Sequence, residues 1–108
     1  MSLAPVSPVG ETTEQRVERL LRRWRAETAV LSSSAQITGH PAYQELVSLG
    51  EAALPFLFRD MEHTLDGHLS KALAVITGSQ PIPPEQRGQI RKIAETWLIW
   101  AREHGYQW

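Results

Sequence analysis

Apolar residues recur at helical spacing along most of this chain. Val17, Leu20, Leu21 and Trp24 fall at i, i+3, i+4 and i+7, which places them on one face of a helix. Thr12 followed by Gln15 fits a capping box, so a first helix is predicted over about 12–29. Gly39-His40-Pro41 opens a second, because proline's missing N–H would have no intrahelical partner at the first position. Gly50 stops that helix after Leu49, giving about 41–49. A third carries Leu54, Leu57, Phe58, Met61 and Leu65 on one stripe, with Pro55 in its first turns. After Asp66-Gly67, the residues Leu69, Ala72, Leu73, Val75 and Ile76 are apolar on nearly every side, which marks a fourth helix over about 67–77 as the most buried element. In a fifth, from about Glu85 to Gly105, Ile90, Ile93, Ala94, Trp97 and Ala101 share a face. Trp100 and His104 lie at one edge of that face and Leu98 at the other.

The interruptions are as informative as the periods. Residues 1–11 include Pro5, Pro8 and Gly10 without periodicity and read as a flexible N-terminal arm. Ser32 to Gly39 reads as a connector with a brief extended piece, and Pro81, Pro83 and Pro84 force a crossing loop. No segment alternates with period two, so no sheet is expected. The expected fold is all-α: a single domain over residues 12–108 with about five helices. Short turns favour antiparallel helix pairs, in a small helical bundle or a short HEAT-like solenoid.

Composition narrows the function classes. The chain has 108 residues, 42% of them hydrophobic and 21% charged, the balance of an ordinary globular domain. It has no cysteine, which removes disulfides, thiolate zinc sites and thiol nucleophiles. A formal net charge of −1 lacks the basic excess of a duplex-binding domain, so nucleic acid is a disfavoured partner. No apolar run approaches the ~20 residues of a membrane span, and the start of the chain lacks a signal-peptide pattern, so a cytoplasmic protein with no membrane role is expected.

Candidate chemistry is sparse. Asp60, Glu62, His63, Asp66 and His68 crowd nine positions with groups suited to zinc or manganese, yet their spacing fits no metal motif. Two histidines five apart point about 140° away from each other on a continuous helix, so a shared metal would need the Asp66-Gly67 turn to bring them together. A solvated helix end is the simpler expectation. His40 is a candidate general base, or a loop-fixing hydrogen-bonding residue, and Ser32, Ser33 and Ser34 suit turns and caps. Phosphate-cradling glycine loops are absent, and no cofactor or catalytic residue is assigned. Arg16, Arg19 and Arg23 flank the first helix's apolar stripe as a basic ridge suited to nucleic acid or an acidic partner, but Glu18 with Arg22 and Arg23 with Glu27 stand in i, i+4 register, and a solvated face is the favoured reading. Trp24 and Trp97 belong to the core. Ile99, Trp100 and Trp108 are candidate binding anchors, although a terminal Trp108 can equally fold back over the bundle end.

Residues 46–77 run Leu-Gly (Leu49, Gly50), Ala53, Pro55 and Leu57, then Ala72 and Leu73 in the following helix. This stretch resembles a bacterial HEAT-like repeat, and the resemblance gives these positions structural roles. Over the whole chain, Trp24, Glu27 and Thr28, the pair Ser32-Ser33, and His40-Pro-Ala-Tyr-Gln44 recur with Ile76-Thr-Gly78, Arg87-Gly88, Trp97 and Trp100. That set resembles a group of small uncharacterised bacterial all-helical proteins. Such proteins tend to carry aromatics just after a histidine, where this chain has His68-Leu69-Ser70-Lys71. The expected function is a protein–protein interaction module, regulatory or antitoxin-like, with another protein or a copy of itself as partner. The alternative is a small metal-dependent hydrolase using the 60–68 cluster.

Overall fold

The computed structural model describes residues 10–108, and within them 73% of the chain is helical with no strand. The helices are α1 (Thr13–Thr28), α2 (Ser34–Thr38), α3 (Pro41–Ser48), α4 (Leu54–Thr64), α5 (Ser70–Thr77) and α6 (Ile90–Glu103). Single 3-10 turns precede α4 and α5, and another lies in the loop before α6. The fold is a small all-α bundle, as the periodicity predicts.

Local chemistry explains most boundaries. Thr12 accepts from the Gln15 amide while the Gln15 side chain accepts from the Thr12 amide, the reciprocal capping box that starts α1. Pro41 takes the first position of α3, and His40 caps it through Nδ1. Gly78, at φ 70°, ends α5 in the left-handed region that a glycine enters without penalty. Leu65 is the exception: it ends α4 at φ 51°, a conformation costing a side-chain-bearing residue about 1–2 kcal/mol. The turn that the sequence assigns to Asp66-Gly67 therefore begins one residue earlier.

Three expectations change. The connector over 32–39 is not extended, because Ser33 caps a one-turn helix, α2, whose Ile37 and Thr38 are buried. The fourth predicted helix is not the most buried element, since within α5 only Ala72 and Leu73 are buried and Val75 is 61% exposed. The last helix starts at Ile90 rather than near Glu85, after a 3-10 turn over Pro84–Gln86 and the left-handed Gly88. The arm over residues 1–11 falls outside the described residues up to residue 9. Its last residue, Glu11, is fixed against α1 by ion pairs to Arg16 and Arg19.

The core is one cluster that includes Val17, Leu20, Trp24, Tyr43, Leu46, Leu57, Phe58, Met61, Leu73 and Trp97. α1 packs chiefly on α3, α3 on α5, and α4 on α6. Each large buried aromatic with a polar atom finds a partner for it. The Trp24 indole donates to the Ile37 carbonyl (2.8 Å), and the Trp97 indole to Ser70 Oγ (2.8 Å). Tyr43, fully buried and 5.2 Å from the Trp24 ring, donates its hydroxyl to the His68 carbonyl (2.8 Å) and accepts from the Ala72 amide (2.9 Å). Burial raises the phenol's pKa; the Ala72 bond works against that rise and the Asp66 charge adds to it. Among the described residues, no helix is long and apolar enough to cross a membrane.

α5 has no side-chain cap of its own, so the Tyr43 hydroxyl serves one of its unpaired first-turn amides from a distant helix. Tyr43→Phe keeps the ring and strands both backbone groups. It should cost about 2 kcal/mol in urea unfolding, with hydrogen exchange at Ala72 accelerating before that of the α1 amides. Unchanged stability would show that water replaces the hydroxyl. Gly67→Ala should cost about 1–3 kcal/mol, because an added Cβ would stand 2.2 Å from the Ile90 carbonyl oxygen.

Candidate functional site

The acidic and histidine cluster over 60–68 is divided by geometry. Arg25 reaches across from α1 and grips Asp60 with two bonds, of 2.8 and 2.7 Å, then touches Asp66 Oδ2 at 3.1 Å. Burial works against the Arg25 charge, but the Asp60 and Asp66 carboxylates outweigh it and raise the pKa of the guanidinium. Asp66 Oδ1 accepts from the His68 amide (3.0 Å) and lies 2.9 Å from the ring Nδ1 of His68. His63 turns away, its Nδ1 donating to the Arg59 carbonyl (2.8 Å). Glu62 points toward the C-terminal end, where it meets Arg102 and the Trp108 indole. Among the described residues, no group of three or more such side chains is placed to hold a metal ion. The crowding in sequence is an Arg25 ion-pair hub in space.

His40 is equally committed. Its Nδ1 accepts from the Ala42 amide (3.0 Å), which puts the proton on Nε2, and Nε2 donates to Glu27 (2.7 Å). The bond to His40 is the main reason the Glu27 pKa is lowered. A general base needs a free nitrogen, and neither is free here.

The basic ridge of α1 is met by acids. Glu11 Oε2 accepts from Arg19 at 2.7 Å and Oε1 from Arg16 at 3.3 Å, while Arg23 pairs with Glu27 at 3.3 Å. The Arg19 bond is the largest cause of the lowered Glu11 pKa. Of the three anchors expected at the C-terminal end, only Ile99 stands out, at 58% exposure. Trp100 packs edge-on to Trp97 (5.3 Å) and stacks on His104 and Tyr106. Trp108 folds back onto Phe58 (5.2 Å), with Arg102 over its ring at 4.9 Å.

Two concavities stand out among the described residues. A groove of about 470 Å³ runs between α1 and α4, with Val17, Leu21 and Phe56 along its apolar base. Its rims carry Glu14, Glu18, Arg22 and Arg25 from α1 and Arg59, Asp60 and His63 from α4. Two ion pairs bridge the rims, Glu14 to Arg59 at 2.8 Å and Arg25 to Asp60 at 2.7 Å. A second cleft of about 570 Å³ lies between α2, the 67–71 segment, α5 and the start of α6.

No family model, curated protein or solved structure matches this chain.

The groove and the cleft are thus the sites the structure itself offers. Neither is expected from the sequence as a site, although Asp60 and His63 of the groove and His68 and Ser34 of the cleft stand out there for other reasons. One signal was present: Phe56 is a large apolar residue off the stripe formed by Leu54, Leu57, Phe58 and Met61, and an aromatic that misses the core face is free to line a surface hollow. The cleft had no such signal, because α2 falls where no helix was expected.

The C-terminal end generates a pH prediction. The Glu62 pKa is lowered from its ordinary value of 4.5, first by the Trp108 indole bond and then by Arg102, with His63 adding a smaller effect. A depressed carboxylate contributes stability that is complete above 4.5 and lost as pH falls through the folded-state value. The Trp108 indole N–H resonance should therefore shift as a solution is acidified below 4.5, and Glu62→Gln should abolish that shift. A titration identical in the variant would place the proton elsewhere.

Proposed function

We propose that this protein is a non-catalytic helical interaction module that seats an amphipathic segment of another protein in the groove between α1 and α4. The observation that carries it is the form of that groove, an apolar base between two charged rims, with Glu18 and Arg22 left without an ion pair. From Glu14 to Arg25 the rim extends about 16 Å at 1.5 Å per residue, the length of a three-turn helix. Helix-in-groove docking uses this division of labour, apolar anchors for affinity and rim charges for register.

The HEAT-like kinship belongs to the same proposal. It is supported by a left-handed Gly50 (φ 65°) between α3 and α4, by buried Ala53 and Leu57, and by Ala72 and Leu73 buried on the next helix. A regulatory or antitoxin-like role in the cytoplasm fits a chain in which the candidate catalytic and metal-ligating groups His40, Asp60 and Asp66 are spent on a cap and ion pairs. The metal-dependent alternative loses its footing where Arg25 takes up Asp60 and Asp66.

A photo-crosslinking residue at Arg22 should capture one defined protein in lysate of the native cell, and the same residue at Ile99 should not. Arg22→Glu combined with Glu18→Arg should reduce binding of the identified partner about 10-fold or more through reversed rim charges. Capture at Ile99 alone would move the interface to α6.

A further inference from the structure

The cleft beside α5 differs in chemistry from the groove. Of the residues lining it, none is acidic, and Lys71 and His68 are the two that carry or can accept positive charge. Lys71 is exposed and has no ion-pair partner. Asp66 accepts from the Nδ1 side of His68, so the unpartnered Nε2 is an acceptor in the neutral ring and gives a bond to an anion only as the imidazolium. The Asp66 charge is itself divided between this contact and Arg25, so it does little to cancel Lys71. Ser70 uses its oxygen to accept from Trp97 and has its own hydroxyl proton to give, and the Ser34 hydroxyl has no partner. One turn further along α5 from Ser70 and Lys71, Ala74 and Val75 form with Ala35 of α2 the apolar part of the lining, and Val75 is one of only three large apolar side chains strongly exposed among the described residues.

We propose that this cleft binds a phosphate monoester with an apolar body, its phosphoryl group held by Lys71, His68 and Ser70 and its body laid on Ala74 and Val75. Phosphate is favoured over carboxylate by the number of donors: Lys71, the Ser70 and Ser34 hydroxyls and the His68 imidazolium outnumber the two oxygens of a planar carboxylate and suit a tetrahedral group with three terminal oxygens. The cleft's volume of about 570 Å³ is within the range of small-molecule sites. The close approach of Gly67 to the Ile90 carbonyl fixes the backbone of one wall. This site is independent of the α1–α4 groove, and either can fail without the other.

Phenyl phosphate is the probe, followed by amide and indole resonances of the full chain. Saturable shifts should appear at Ala35, Ser70, Lys71 and Val75, and at the Trp97 indole N–H, which reports on Ser70 directly. Lys71→Met should weaken binding about 10-fold, the worth of one charge-assisted bond. Lys92→Met, which removes an exposed lysine of α6 outside the cleft, should leave it unchanged. Val75→Asp should abolish binding with the resonances of the core unmoved. No shift up to about 10 mM ligand would overturn the proposal, as would equal losses in Lys71→Met and Lys92→Met. Inorganic phosphate binding as tightly as phenyl phosphate would remove the apolar wall from the site, and tighter binding of benzoate would reverse the choice of anion; either result refutes the proposal as stated.

Discussion

The Tyr43 hydroxyl is one oxygen buried where three segments meet, and the arrangement of half the molecule follows from it. α5 begins without a side-chain cap, directly after a 3-10 turn, so its first-turn amides need partners from elsewhere. Tyr43 supplies one by accepting from Ala72, and spends its proton on the His68 carbonyl just upstream. A ring held at both faces of one short segment fixes that segment relative to α3. Trp24 then ties the same ring to α1, and through its indole bond to Ile37 it also holds α2. α2 is a single turn that would not persist alone. It exists because Ser33 caps it and because Ile37 is held from both sides.

From that anchor the second half of the chain is placed by contact rather than by charge. Gly67 comes so close to the Ile90 carbonyl that no side chain fits between them, and Trp97 donates to Ser70 two turns further along α6. α6 is thereby set across the 67–71 segment. Its aromatic edge, Trp100 with Tyr106 and Trp108, closes over Phe58 of α4. Charge does a different job at the opposite side, where Arg25 holds Asp60 and Asp66 together. That contact fixes the end of α4 in a left-handed residue, Leu65, for which the sequence offers no glycine.

The helices with sustained amphipathic periods were legible in the sequence, because Val17, Leu20, Leu21 and Trp24, or Ile93, Ala94 and Trp97, can satisfy the pattern in only one way. α2 was not legible. Three serines and then Ile37 and Thr38 have the composition of a turn and a strand, and it is the Ser33 cap together with the tertiary bond from Trp24 that outweighs that preference. The burial of α5 was overestimated for a related reason. An all-round apolar sequence signals burial on every side, but Val75 faces the open cleft instead. The 60–68 cluster shows where spacing stops being informative: Arg25 is 35 residues from Asp60, and nothing local to either announces their pairing. The fate of Trp108 was an even choice, decided by Glu62 and Arg102, which meet it from two different helices.

What is left exposed bears on how such a molecule recognises anything. Among the described residues, Val30, Val75 and Ile99 are the strongly exposed large apolar side chains, and they stand on separate elements. Three isolated residues do not form a sticky patch. Concave places differ, because partly covered side chains such as Phe56 line them beside rim charges. The two hollows differ in this respect. The groove has both signs of charge and suits a partner with both, whereas the cleft has no acid in its lining and suits an anion. The same economy that spends Glu11, Glu27, Asp60 and Asp66 on internal pairs leaves Lys71 without one. Among the described residues Arg22, Arg87 and Lys92 also lack an ion pair, but of these unpaired cations Lys71 alone lines the cleft.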